Sequence, residues 1–106
     1  MNEPNTATAP APLSLKQACF LLSDPTRCLL LRELSGGEIM PVSEMARRMG
    51  RTRDSLARHV AAMLKLGIVQ PAYARMYVLA PAYRPAPGTN TMALGPFVLR
   101  LDTLSA

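Results

Sequence analysis

Apolar residues recur at helical spacing in four successive stretches of the chain, and further along the period changes to two. The first stretch sets Leu15, Ala18, Cys19 and Leu22 on one helical face behind Ser14, a capping residue, and predicts a helix to about Ser23. Phe20 and Leu21 fall on its other faces. The second opens at Asp24-Pro25, a capping carboxylate followed by proline at the first helical position, and runs to about Leu34 before Gly36-Gly37. Its Cys28, Leu29, Leu30, Leu31 and Leu34 surround the helix, which predicts burial on two sides. The third aligns Val42, Met45, Ala46 and Met49, with Ser43 as the expected cap and Gly50 as the stop. In the fourth, Leu56, Val60, Met63 and Leu64 follow Thr52 as cap and end at Gly67.

The remaining pattern reads as strands and connections. Ile39-Met40-Pro41-Val42 is extended because the residue before proline avoids the helical region, and it suits a short first strand. Ile68-Val69-Gln70 and Met76-Tyr77-Val78-Leu79 flank Pro71–Arg75 and predict a hairpin, with Pro71 at an edge or the turn. Pro81 to Thr91, with Pro81, Pro85, Pro87 and Gly88, reads as a linker or crossing segment. Residues 97–101 alternate, placing Phe97, Leu99 and Leu101 on one face of a strand that must pair with something to persist. The expected organisation is a disordered arm at 1–12, a domain at 13–80 and a proline-rich extension with a terminal strand at 81–106.

Charge changes this picture at one place. Arg47, Arg48, Arg51, Arg53 and Arg58 account for five of the 12 Lys and Arg residues, and within the span 47–58 only Asp54 opposes them. They bracket the turn between the third and fourth helices, so a helix pair with an apolar inner face carries a basic outer face. That is a helix-turn-helix with a phosphate-binding footprint, the second helix of which enters the DNA major groove. A basic run can also be no more than the solvated side of a helix. The order of cap, glycine turn and arginine-bracketed second helix favours DNA.

Length and composition narrow the class. A chain of 106 residues supports one small core, and the net charge of +5 favours a polyanionic partner. No apolar run approaches the roughly 20 residues that span a bilayer, and no secretory signal opens the chain. Cys19 and Cys28 form no disulfide framework and fit a reduced cytosol. With one histidine, His59, and no close cysteine pair, neither a metal site nor a catalytic constellation is expected, and no cofactor. His59 is read as structural or as a phosphate donor.

Residues 22–79 resemble the arsenical-resistance repressor (ArsR-type) family of bacterial transcription regulators. The resemblance rests on LSDPTRCLLLREL at Leu22–Leu34, VSEMARRMG at Val42–Gly50 and SLARHVAAMLKLGIV at Ser55–Val69, over a little more than half the chain. It implies a mainly α winged helix-turn-helix with a small β-hairpin, working as a dimer with paired recognition helices in successive major grooves. Met45 and Met49 stand on the helix where the family's metal sensors carry cysteines, so metal sensing is not implied. Ala57 stands where many members have serine, the wing is short, and a proline-rich segment and strand replace the usual final dimerising helix.

The expected partner is double-stranded DNA, and the expected assembly a homodimer acting as a repressor. Arg53, Asp54, Ser55 and Arg58 are the candidates for base contacts. Thr52 caps the reading helix, Arg47, Arg48 and Arg51 hold phosphates, and Arg75 with Tyr73 lies near the wing tip. The expected dimer interface comprises Leu15, Phe20, Leu21, Phe97, Leu99 and Leu101. A protein-interaction module and an RNA binder are the rival readings, although few aromatics are available to stack single-stranded bases.

Overall fold

The computed structural model describes residues 13–104, so the arm expected at 1–12 lies outside the described residues. Helix α1 (Leu15–Leu22) starts on a reciprocal cap: Gln17 N donates to Ser14 Oγ (3.1 Å) and Ser14 N to Gln17 Oε1 (3.0 Å). Its buried face differs from the expected stripe. Ala18 and Leu21 are fully buried, whereas Leu15 is 60% exposed and Cys19 is exposed. Leu13, buried just ahead of the cap, fixes how the chain enters, and that entry rotates the inward face away from Leu15 and Cys19. Leu21 therefore belongs to its own chain's core rather than to a subunit interface.

Helix α2 (Pro25–Leu34) is the central helix its all-round apolarity predicts, with Leu29, Leu30, Leu31 and Leu34 buried. Asp24 caps it by accepting from Thr26 N at 2.8 Å. Helix α3 (Val42–Met49) begins two residues earlier than its expected cap requires. Pro41, not Ser43, is the N-cap residue, and no side chain caps the helix. The cause lies just upstream: Met40 is held in an antiparallel bridge to Tyr77, and the extended Pro41 leads directly from that bridge into the helix. The first strand expected at 39–42 is thus reduced to Met40 alone. Helix α4 (Arg53–Lys65) is capped as expected, Ser55 N donating to Thr52 Oγ1 at 3.2 Å.

Strands β1 (Val69–Pro71) and β2 (Tyr77–Leu79) form the wing, antiparallel, with Val69 opposite Leu79 and Pro71 opposite Tyr77. Pro71 ends its strand, where a missing N–H costs least. Together the four helices and this hairpin make a winged-helix-like fold.

The terminal strand finds its partner close by in sequence. Strands β3 (Thr91–Leu94) and β4 (Phe97–Arg100) form a second antiparallel hairpin around Gly95-Pro96, in register from Thr91–Arg100 to Leu94–Phe97. The partner was hidden at the end of the proline-rich stretch, which is itself folded: Pro81–Tyr83 is a 3₁₀ turn that buries Tyr83. Tyr83, Met92, Leu94 and Leu101 join the same core cluster as Leu30, Leu34, Met45, Leu56 and Ile68. Leu101, like Leu21, is consequently unavailable to a second copy. The hairpin turn abuts the start of α1. Gly95 has φ +60°, and a Cβ there would lie 2.5 Å from the Leu13 carbonyl oxygen, so only glycine fits.

Candidate nucleic-acid interface

Helices α3 and α4 pack through Met45 and Ala46 on one side and Leu56, Val60 and Met63 on the other, all buried. Gly50 takes the left-handed conformation (φ 64°, ψ 35°) that ends α3, and Arg51 N closes the turn on Ala46 O at 3.0 Å. With its inner stripe spent on packing, α4 presents Arg53, Asp54, Ala57, Arg58, Ala61 and Lys65 outward, all exposed. Ser55 is half-buried beside them.

The five arginines divide by what they already hold. Arg53 and Arg58 form no side-chain hydrogen bond or ion pair among the described residues. Arg48 is held by two carboxylates, Glu38 at 2.7 Å and Glu44 at 2.7 Å, and Arg47 is paired with Glu44. These hydrogen bonds, from Arg47 and then Arg48, pull the Glu44 carboxyl down to about 2. Arg51 donates NH1 to the Thr26 hydroxyl at 2.6 Å, which joins the turn to the first turn of α2. Glu44 lies three and four residues before Arg47 and Arg48, a spacing visible in the sequence. Glu38 is ten residues from Arg48, and only the fold brings them together.

Another arginine, in the Asp-Pro-Thr-Arg run, is assigned no role at the site by the sequence. Arg27 is 7% exposed and uses most of its donors: Nε donates to Leu21 O at 3.1 Å, NH2 to Phe20 O (2.6 Å) and Ser23 Oγ (3.0 Å), and NH1 meets His59 Nδ1 at 3.3 Å. The Phe20 ring lies over it, 4.3 Å from guanidinium carbon to ring centre. It thereby satisfies the Leu21 carbonyl, adds a donor to the Phe20 carbonyl that Ser23 already caps, and reaches α4 through the imidazole. Because a guanidinium can only donate, Nδ1 of His59 accepts and the ring proton sits on Nε2, 3.9 Å from Asp24 Oδ2. Burial depresses the His59 pKa, against Asp24 and with the help of Arg27, Arg58 and Arg51. At neutral pH the ring is uncharged, so the Asp24 contact is not an ion pair. The run Asp24-Pro25-Thr26-Arg27 thus starts a helix and also ties α1, the helix-turn-helix turn and α4 to it.

At the wing, Tyr73, Ala74 and Arg75 are exposed, and Ala74 and Arg75 both have positive φ (55° and 60°). Of the residues expected at a dimer interface, Leu15 (60%), Phe20 (46%) and Phe97 (36%) are exposed and Leu99 is partly buried. Val98, at 68%, was not expected among them.

Residues 22–71 match the family model described as a helix-turn-helix domain. None of the curated proteins and none of the solved structures compared with the chain matches it. The matched span runs from the end of α1 to the first strand of the wing and contains all of α2, α3 and α4. It supports a helix-turn-helix regulator. No described helix is long and apolar enough to cross a membrane.

Proposed function

We propose that this protein is a sequence-selective, DNA-binding transcriptional regulator of the ArsR type, acting as a homodimer and, by the simplest route, as a repressor that occludes DNA. One observation carries the reading: Arg53 and Arg58 stand on the outer face of α4 without partners among the described residues, beside the small side chains of Ala57 and Ala61. Alanine lets a helix sit deep in the major groove, and a free guanidinium can grip guanine O6 and N7 in bidentate fashion. Asp54 and Ser55 are the remaining base-reading candidates. Thr52 and the positive end of α4 face a phosphate, and Arg47, Arg51 and Arg75 supply backbone contacts that set register. In this reading Arg48, bound on both sides by carboxylates, braces α3 rather than touching DNA.

Dimerisation gives two recognition helices access to successive major grooves. On α1 and the C-terminal hairpin, Leu15, Phe20, Phe97 and Val98 are exposed apolar residues available for the interface. A gel shift titrated with salt, using selected and random duplexes alongside structured RNA, tests the function, and sedimentation tests the assembly. Steep salt dependence with preference for one duplex sequence is the expected result. Equal affinity for every duplex, or tighter binding to RNA, sinks sequence-selective DNA recognition.

A further inference from the structure

We propose that a cleft between the end of α2 and the C-terminal segment binds a small hydroxylated oxyanion, a molecule carrying a carboxylate or phosphate group together with hydroxyls. The cleft is open to solvent and offers about 540 Å³, a volume typical of small-ligand sites, and none of its lining comes from α3, α4 or the wing strands. It therefore goes beyond the DNA-binding reading and does not depend on it.

Two guanidiniums line this cleft, Arg32 from the last turn of α2 and Arg84 from the segment after the wing. Each is pinned by one N–H to a backbone carbonyl, Arg32 NH1 to Leu104 O and Arg84 Nε to Leu79 O (3.0 Å). The Arg84 side chain also lies against the glycine turn that follows α2, where a Cβ on Gly37 would meet its Cδ at 3.4 Å. Pinning removes rotamer freedom without consuming the remaining N–H groups, so both cations are held ready for a ligand. Neither is paired with a carboxylate among the described residues, while the cleft's own carboxylate, Asp102, is engaged by Arg100 at 3.2 Å. Two like charges left facing one cavity favour an anion between them, and guanidinium geometry suits a planar carboxylate or a phosphate.

The lining hydroxyls set the second half of the ligand. Ser35 Oγ donates to Arg32 O (2.8 Å) and Thr89 Oγ1 to Ala86 O (2.7 Å), so each hydroxyl has spent its donor and keeps only acceptor capacity. Acceptors beside an anion site call for donors on the ligand, which hydroxyl groups supply. The wall that carries them is fixed by Thr89 N on Ala86 O (3.0 Å) and Leu101 N on Asn90 O (2.7 Å).

The test is an amide NMR titration of the full chain with citrate and, separately, with inorganic phosphate, ionic strength being held constant with chloride. Saturable shifts at Gly36, Gly88, Thr89 and Asn90 are expected, and whichever probe saturates identifies the source of the oxyanion. Arg84→Gln should weaken that binding about tenfold or more. Shifts centred on Arg53–Arg58, or shifts that grow without saturating for both probes, overturn the site. So does unchanged affinity in an Arg84→Gln protein whose spectrum remains dispersed. Should that variant unfold, the wild-type shift map decides by itself.

Discussion

Arg27 and Arg58 are both arginines on helices, but one is finished and the other is free. Arg27 is buried with its N–H groups bound to two backbone carbonyls, a hydroxyl and an imidazole. Arg58, next to that same imidazole in sequence, is exposed and unbound among the described residues. Arg53 shares the free state of Arg58, and three further arginines of the helix-turn-helix fall between these limits, Arg51 tied to a hydroxyl and Arg47 and Arg48 to carboxylates. A basic cluster is therefore not a count of phosphate contacts. What an arginine can do for a partner depends on how much of its hydrogen-bonding capacity the fold has already used.

The largest effect should come from the finished end of the series. Arg27→Ala leaves the Leu21 carbonyl and the His59 ring without their donor, takes one donor from the Phe20 carbonyl, and should destabilise the fold by about 2–4 kcal/mol in urea unfolding. Arg27→Lys should recover little, because one ammonium cannot span four partners in the same geometry. A loss below about 1 kcal/mol would move Arg27 to the free group and break the contrast.

At the free end, Arg53→Ala and Arg58→Ala should leave the unfolding midpoint unchanged and weaken binding to the preferred duplex by ~1–3 kcal/mol each. Equal weakening on random DNA would show phosphate contact instead of base reading. The intermediate group sharpens the scale. Arg47→Ala should lower the slope of log affinity against log salt by about 1, whereas Arg48→Ala should barely change it. Identical slopes for the two variants would mean that the carboxylates around Arg48 do not hold it back.

The smallest effect is a pH dependence. The folded pKa of His59 is depressed below 6.5, chiefly by burial, so in the window just below that value the unfolded chain binds more protons than the folded one. The stability from this group is complete above 6.5 and is lost as pH falls toward the folded pKa. Asp24, lowered chiefly by the Thr26 backbone hydrogen bond, adds a second loss as pH falls below its ordinary 3.8. His59→Gln should flatten the upper step and leave the lower one. Survival of the upper step in that variant would assign it elsewhere.

Caps, glycine stops and 3.6-residue periodicity are local, and they placed α2, α3 and α4 to within a residue or two, together with the wing and the outward arginines of α4. Those features depend on chain neighbours three or four positions apart, which a sequence displays directly. Three decisions were not local. Which face of α1 turns inward was set by Leu13 and the packing around it, and an eight-residue helix is too short for its own pattern to overrule that. The partner of Phe97–Arg100 was a β-prone run masked by the prolines before it, and the resulting hairpin is held by the shared core and by Gly95 against Leu13. The state of each arginine rested on contacts such as Arg27 with His59, 32 residues apart, and Arg48 with Glu38. Side-chain chemistry is written in the sequence, but whether its hydrogen bonds are already spent is settled only when distant segments meet.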